Sequence, residues 1–60
     1  MTNENQERLF KIGQIVRLKS GGPPMTVVLY TSNGDVKATW LDNDGRPQSY
    51  FFVEATLKAN

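Results

Sequence analysis

The sequence predicts an all-β fold, and three observations carry that prediction. Apolar and polar residues alternate in several short runs, and β-branched and aromatic residues fill those runs. Between them Gly, Pro, Asn and Asp cluster at intervals of roughly 8–12 residues. A chain of 60 residues accommodates one such domain and no second.

The elements follow in order. Residues 1–9 begin as a polar stretch, Met1 to Arg8, rich in Asn, Gln and Glu. With no apolar period it reads as a flexible N-terminal arm, or as one helical turn opened by Asn3 or Asn5. The domain proper spans 10–60. "QIVRLK" places Val16 and Leu18 on one strand face, with Ile15, Arg17 and Lys19 on the other. The glycine-proline segment "KSGGPP" leads into "MTVVLYT", where alternation puts Met25, Val27 and Leu29 on one side. Asn33-Gly34 is a strong hairpin signal, because both residues tolerate positive φ. "DVKATWL" directs Val36, Ala38 and Trp40 inward and Lys37 and Thr39 outward, with Trp40 as the expected core centrepiece. "DNDG" makes a second turn. "PQSYFFV" is a fourth strand, opened by Pro47 where a missing donor does least harm. "EATLKAN" suggests one tight turn and a short closing strand plugged by Leu57. Together these predict a small SH3-like barrel of about five strands.

Composition narrows the function. A domain this small buries only about 60% of its unfolded surface, so it leans on a disulfide, a metal or a partner subunit. The chain has no Cys and no His, which removes disulfides, thiolate zinc sites and the commonest transition-metal ligand. Self-association into a homo-oligomer is the route left open. A formal net charge of +1 is too small to steer the chain to nucleic acid or an anionic membrane. No apolar run is long enough to span a bilayer, and "MTNENQERLF" lacks the basic-then-apolar order of a signal peptide. A cytoplasmic location, no cofactor and no metal are the default expectations.

From Phe10 onward the chain resembles the YodC-like family of small bacterial and phage proteins, a family of unknown function. The resemblance rests on "FKIGQIVRLKSGGPPMTV", "VKATWLDNDGRPQSYFF" and the late "ATL". Gly13, Val16, Leu18, Lys19, Ser20, Gly21, Gly22, Pro23, Met25, Thr26, Val27, Trp40 and Asp42 match its pattern, and "KSGGPxMTV" is the more specific part. The polar arm departs from it, as does Ala38, where relatives often carry Cys. The resemblance implies an SH3-like fold and no known catalysis.

Two candidate sites stand out. In the first, Ser20, Gly21 and Gly22 can present backbone N–H groups to an anion, with Arg17 and Lys19 completing a ligand-binding pocket. Against it, Pro23 and Pro24 offer no donor, the pattern is not a P-loop, and the same residues make a stiff corner. The second is an interface. Tyr50, Phe51 and Phe52 must alternate between faces, and Val28, Tyr30 and Leu41 also put apolar groups outside the expected core face. Val28, Tyr30, Leu41, Tyr50 and Phe52 are therefore the expected interface residues. Catalysis is not expected: Asp35, Asp42 and Asp44 sit in turns, Glu54 is the remaining acid considered, and there is neither His nor Cys to act as base or nucleophile. "DNDG" lacks the length and closing Glu of a calcium loop.

Three functions compete: a homo-oligomeric interaction module docking to a protein partner, a binder sequestering an anionic metabolite such as a cyclic nucleotide between subunits, and a nucleic-acid binder. The second rests on analogy with small phage proteins that soak up such nucleotides. The third is disfavoured by the near-neutral charge.

Overall fold

The computed structural model describes residues 8–60. Five strands form one antiparallel sheet: β1 (Ile15–Leu18), β2 (Met25–Tyr30), β3 (Val36–Leu41), β4 (Pro47–Phe52) and β5 (Leu57–Ala59). A 3-10 turn, Glu54–Thr56, leads into β5. The lateral order is β4-β3-β2-β1-β5. Successive strands β1 to β4 are sequence neighbours, while β5 returns to the free side of β1 through Val16↔Ala59, Arg17↔Lys58 and Leu18↔Leu57. No pairing joins β4 to β5 among the described residues, so the sheet is open along that line rather than closed as a barrel. The architecture is all-β, and its strand order and late 3-10 turn are compatible with the SH3-like fold that the sequence predicts.

The expected alternation holds in β1 and β3. Val16, Val36 and Ala38 are fully buried, and they meet Phe10, Met25, Val27 and Leu57 in the core. Leu57 is the plug expected at the start of the closing strand. Two expectations need correcting. Alternation placed Leu29 inward, but the β2–β3 register shifts between Val27 and Leu29. The bulge at Val28 inserts one extra residue and reverses the strand's phase beyond it. Leu29 consequently faces outward beside Lys37, while Tyr30 packs against the core. Trp40 was the expected centrepiece. It instead stands at the core's margin, partly buried, and the largest fully buried side chains are Leu57, Val16, Val27 and Val36. Trp40 lies near the end of β3, where the face it shares with Val36 and Ala38 extends past the core.

Both hairpins use one turn design. Gly34 N–H donates to Thr31 O at 3.0 Å, and Gly45 N–H donates to Asp42 O at 2.9 Å. Each glycine has positive φ, +89° and +79°. This is a three-residue loop with the glycine in the left-handed position, not the two-residue Asn-Gly turn expected from the sequence. The first residue of each turn supplies a side-chain oxygen. Thr31 Oγ1 accepts from the Asn33 and Asp35 amides, and Asp42 Oδ1 accepts from those of Asp44 and Arg46.

Asp42 also accepts from Gln48 Nε2 through its second oxygen at 2.9 Å. The Arg46 amide, the Gln48 amide group and the Asp44 amide hold its carboxyl below the usual carboxylate value of 3.8. A lowered pKa means that the turn's support is present above the unfolded value and lost as pH falls through the folded one. An NMR titration should therefore move the Asp44 and Arg46 amides together, with an inflection below 3.8. Asp42→Ala should abolish it. Amides that do not respond to acid would show that the carboxylate does not hold this turn.

Most of the polar arm, residues 1–7, lies outside the described residues. Its last part is held on the sheet: the Arg8 guanidinium sits 4.8 Å from the centre of the Tyr30 ring. The Leu9 amide donates to Glu54 Oε2 at 2.9 Å.

Candidate functional site

The loop from Lys19 to Pro24 is exposed throughout. Gly21 and Gly22 adopt φ of +109° and +122°, a region that L side chains rarely enter. That accounts for two adjacent glycines, since an added Cβ would strain the backbone although it would meet nothing within 4 Å. Part of the proposed anion cradle has other work. Gly21 N–H closes the loop on Leu18 O at 3.0 Å, and Lys19 N–H donates to Thr56 O at 2.8 Å. Arg17 is half-buried, and its Nε donates to Asn60 Oδ1 at 2.9 Å. The loop thus turns a corner and is tied to the 3-10 turn. One feature that sequence reasoning missed lies beside it. Lys58 on β5 pairs with Arg17, so like charges oppose each other across two strands just before Lys19. A directly opposed like-charge pair destabilises a sheet and creates a small positive patch. Only the β1–β5 register reveals it.

The expected interface residues divide into two sets. Tyr30 and Phe52 pack against the core. Tyr30 donates its hydroxyl proton to Glu54 Oε2 at 2.6 Å and accepts the Phe10 amide at 3.1 Å. It works as an internal lock, holding the segment before β1 against the 3-10 turn. Burial is the main cause, with the Glu54 hydrogen bond second, of a hydroxyl pKa raised above 10.0. Val28, Leu41 and Tyr50 are exposed, Leu41 at 67% and Tyr50 at 65%.

Val28 sits apart at the β2 bulge, while Leu41 and Tyr50 belong to an apolar group on the β3–β4 hairpin that occupies both of its faces. Val36↔Phe52, Ala38↔Tyr50 and Trp40↔Gln48 share the core-side face. There Phe52 sits between Trp40 and Tyr50, with ring centroids 6.3 Å and 5.3 Å apart and the rings tilted or edge-on. Such geometry favours contact between ring edges and faces. On the opposite face Leu29, Lys37 and Phe51 stand side by side across β2, β3 and β4. The Lys37 ammonium lies 5.5 Å from the centre of the Phe51 ring. Phe51 is 53% exposed. Sequence parity placed Phe51 opposite its neighbours, but Leu29 joined this row unannounced because the bulge is invisible in the alternation.

The four acids considered for chemistry are dispersed. Asp35, Asp42 and Asp44 belong to the two turns, and Glu54 is engaged by Tyr30 and Leu9. No group of three His, Cys, Asp or Glu side chains that could hold a metal occurs among the described residues. Among the described residues no helix is long and apolar enough to cross a membrane.

No curated protein and no solved structure matches the chain at a significant level. One family model does match: it covers residues 11–57, from just after Phe10 to the Leu57 plug, so that all of β1 to β4 lies within it. The chain belongs to the family described as uncharacterized small protein (DUF2158).

Proposed function

We propose that this protein is a non-enzymatic interaction module that self-associates into a homo-oligomer and docks to a protein partner through the β3–β4 hairpin. The observation that carries the reading is the apolar surface on both sides of that hairpin. Tyr50 is exposed on the core-side face, with Trp40 and Phe52 partly so, and Leu41 and Phe51 are exposed on the other. A lone sheet buries one face and solvates the other, so apolar groups on both indicate a further contact. The small core supports the same reading, since neither disulfide nor thiolate zinc can supplement it. The motif "KSGGPxMTV" supports placing the chain with the YodC-like proteins, and cytoplasm remains its expected compartment. Sedimentation at low micromolar concentration should show a dimer or larger species. A clean monomer there would overturn self-association.

A second reading has its own support. Arg17, Lys58 and Lys19 gather positive charge beside the Gly21-Gly22 corner, a setting suited to an anionic metabolite such as a cyclic nucleotide. Charge-assisted contacts contribute about 1.5–3 kcal/mol each, so Lys19→Ala should weaken such binding roughly tenfold or more. Calorimetric titration of parent and variant against a panel of cyclic dinucleotides tests this. Binding that Lys19→Ala leaves unchanged, or no binding by the parent, would rule this reading out.

A further inference from the structure

The sheet has two lateral edges, and they differ. β5 is three residues long and carries Lys58. Short length and a charge are the usual guards of an edge strand. β4 is six residues long, from Pro47 to Phe52, and no charged residue occurs up to Val53. Its pairing with β3 runs through six consecutive partners without a bulge, so nothing bends it away. Pro47 protects its first position alone. On its far side this strand leaves backbone donors and acceptors without a strand partner among the described residues.

We infer that the β4 edge is the docking surface for a second copy of itself, joined antiparallel about a two-fold axis at Tyr50. This rests on the self-association proposed above and names the surface that performs it. Antiparallel neighbours share a face, so a two-fold pairing must centre on a residue and not between two. Centred on Tyr50, the register sets Tyr50 against the other copy's Tyr50, Ser49 against Phe51, Gln48 against Phe52 and Pro47 against Val53. The whole strand is then covered. Centring on Ser49 instead sets Pro47, which has no donor, against Phe51 inside the pairing, and centring on Phe51 pairs only Tyr50 to Phe52 within the strand. The Tyr50 register therefore keeps Pro47 at the margin and sets the exposed Tyr50 rings of the two copies against each other. In the joined sheet the Trp40, Phe52 and Tyr50 rings of both copies lie on one continuous face.

The cysteine-free chain permits a clean test. Opposed residues in an antiparallel pair have Cα atoms about 4.5–5.5 Å apart. A disulfide needs roughly 4.4–6.8 Å. Tyr50→Cys under mild oxidation should give a covalent dimer, while Lys58→Cys on the other edge should not. Because removing Tyr50 could itself weaken the contact, a second pair keeps the side chain in place. Ser49→Cys mixed with Phe51→Cys should crosslink, whereas each alone should not. A parent that sediments as a monomer would overturn self-association and this surface with it. A parent that assembles while neither the Tyr50→Cys protein nor the mixture crosslinks would overturn the β4 surface alone. Crosslinking of Ser49→Cys with itself would overturn the register.

Discussion

Leu57→Ala is expected to destabilise this protein more than Trp40→Ala does, although it deletes the smaller side chain. Leu57 is 1% exposed and closes the core at the start of β5. Truncating a buried Leu costs about 2–5 kcal/mol, because a cavity adds to the lost transfer energy. A domain of this length has a total stability of roughly 3–9 kcal/mol, so the variant should lose most of its cooperative transition at room temperature. Trp40 keeps part of its ring in solvent and leaves a dent open to water, so its truncation falls below the 3–5 kcal/mol typical of a buried aromatic. Urea melts of both variants decide the order. A Trp40→Ala protein that is the less stable of the two would make the indole the centre of the core after all.

Tyr30→Phe should come next in size among changes that preserve shape. It removes one hydroxyl and with it two bonds, to Glu54 and from the Phe10 amide. The pair is only half-buried, so water replaces part of the loss and about 1 kcal/mol is expected. The same hydroxyl predicts an alkaline sensitivity. Its pKa is raised in the folded state, so its contribution is complete below the unfolded value of 10.0 and disappears as pH rises through the folded one. Ionised Tyr30 would face Glu54 charge to charge. Thermal melts of the parent should therefore lose stability above pH 10.0 by more than those of Tyr30→Phe. Parallel curves would show that the lock adds nothing.

The strands were legible in the sequence because each obeys a period of two and is bounded by turn residues. β1, β3, the opening of β4 at Pro47 and the Leu57 plug all fall where that period puts them. Leu29 and Tyr30 did not, because a bulge at Val28 changes phase without any marker such as glycine. Trp40 was misjudged for another reason. Alternation reports which face a residue takes, but not how far that face extends over the core. It faces inward near the margin, where cover runs out. The glycines at 34 and 45 signalled turns correctly, yet the loop length depended on Thr31 and Asp42, whose side-chain acceptors the dipeptide pattern ignores. At the candidate site, parity alone separated Tyr50 from Phe51. The Arg17–Lys58 pair and the Tyr30–Glu54 bond join distant parts of the chain, and no local pattern encodes them.

The return of β5 to β1 also governs the order of events as the chain folds. Strands β2, β3 and β4 form a meander whose partners are close in sequence, linked by two turns of one design. Val16↔Ala59 and Leu18↔Leu57 instead join residues about two thirds of the chain apart. Closing such a loop costs entropy before its contacts give anything back. The meander should thus be formed at the rate-limiting barrier and β5 should dock after it. Leu57→Ala would then accelerate unfolding while leaving the folding rate nearly unchanged, whereas Asp42→Ala would slow folding itself. On that expectation the lifetime of the folded molecule would rest on its last three-residue strand, and its speed of formation on its two glycine turns.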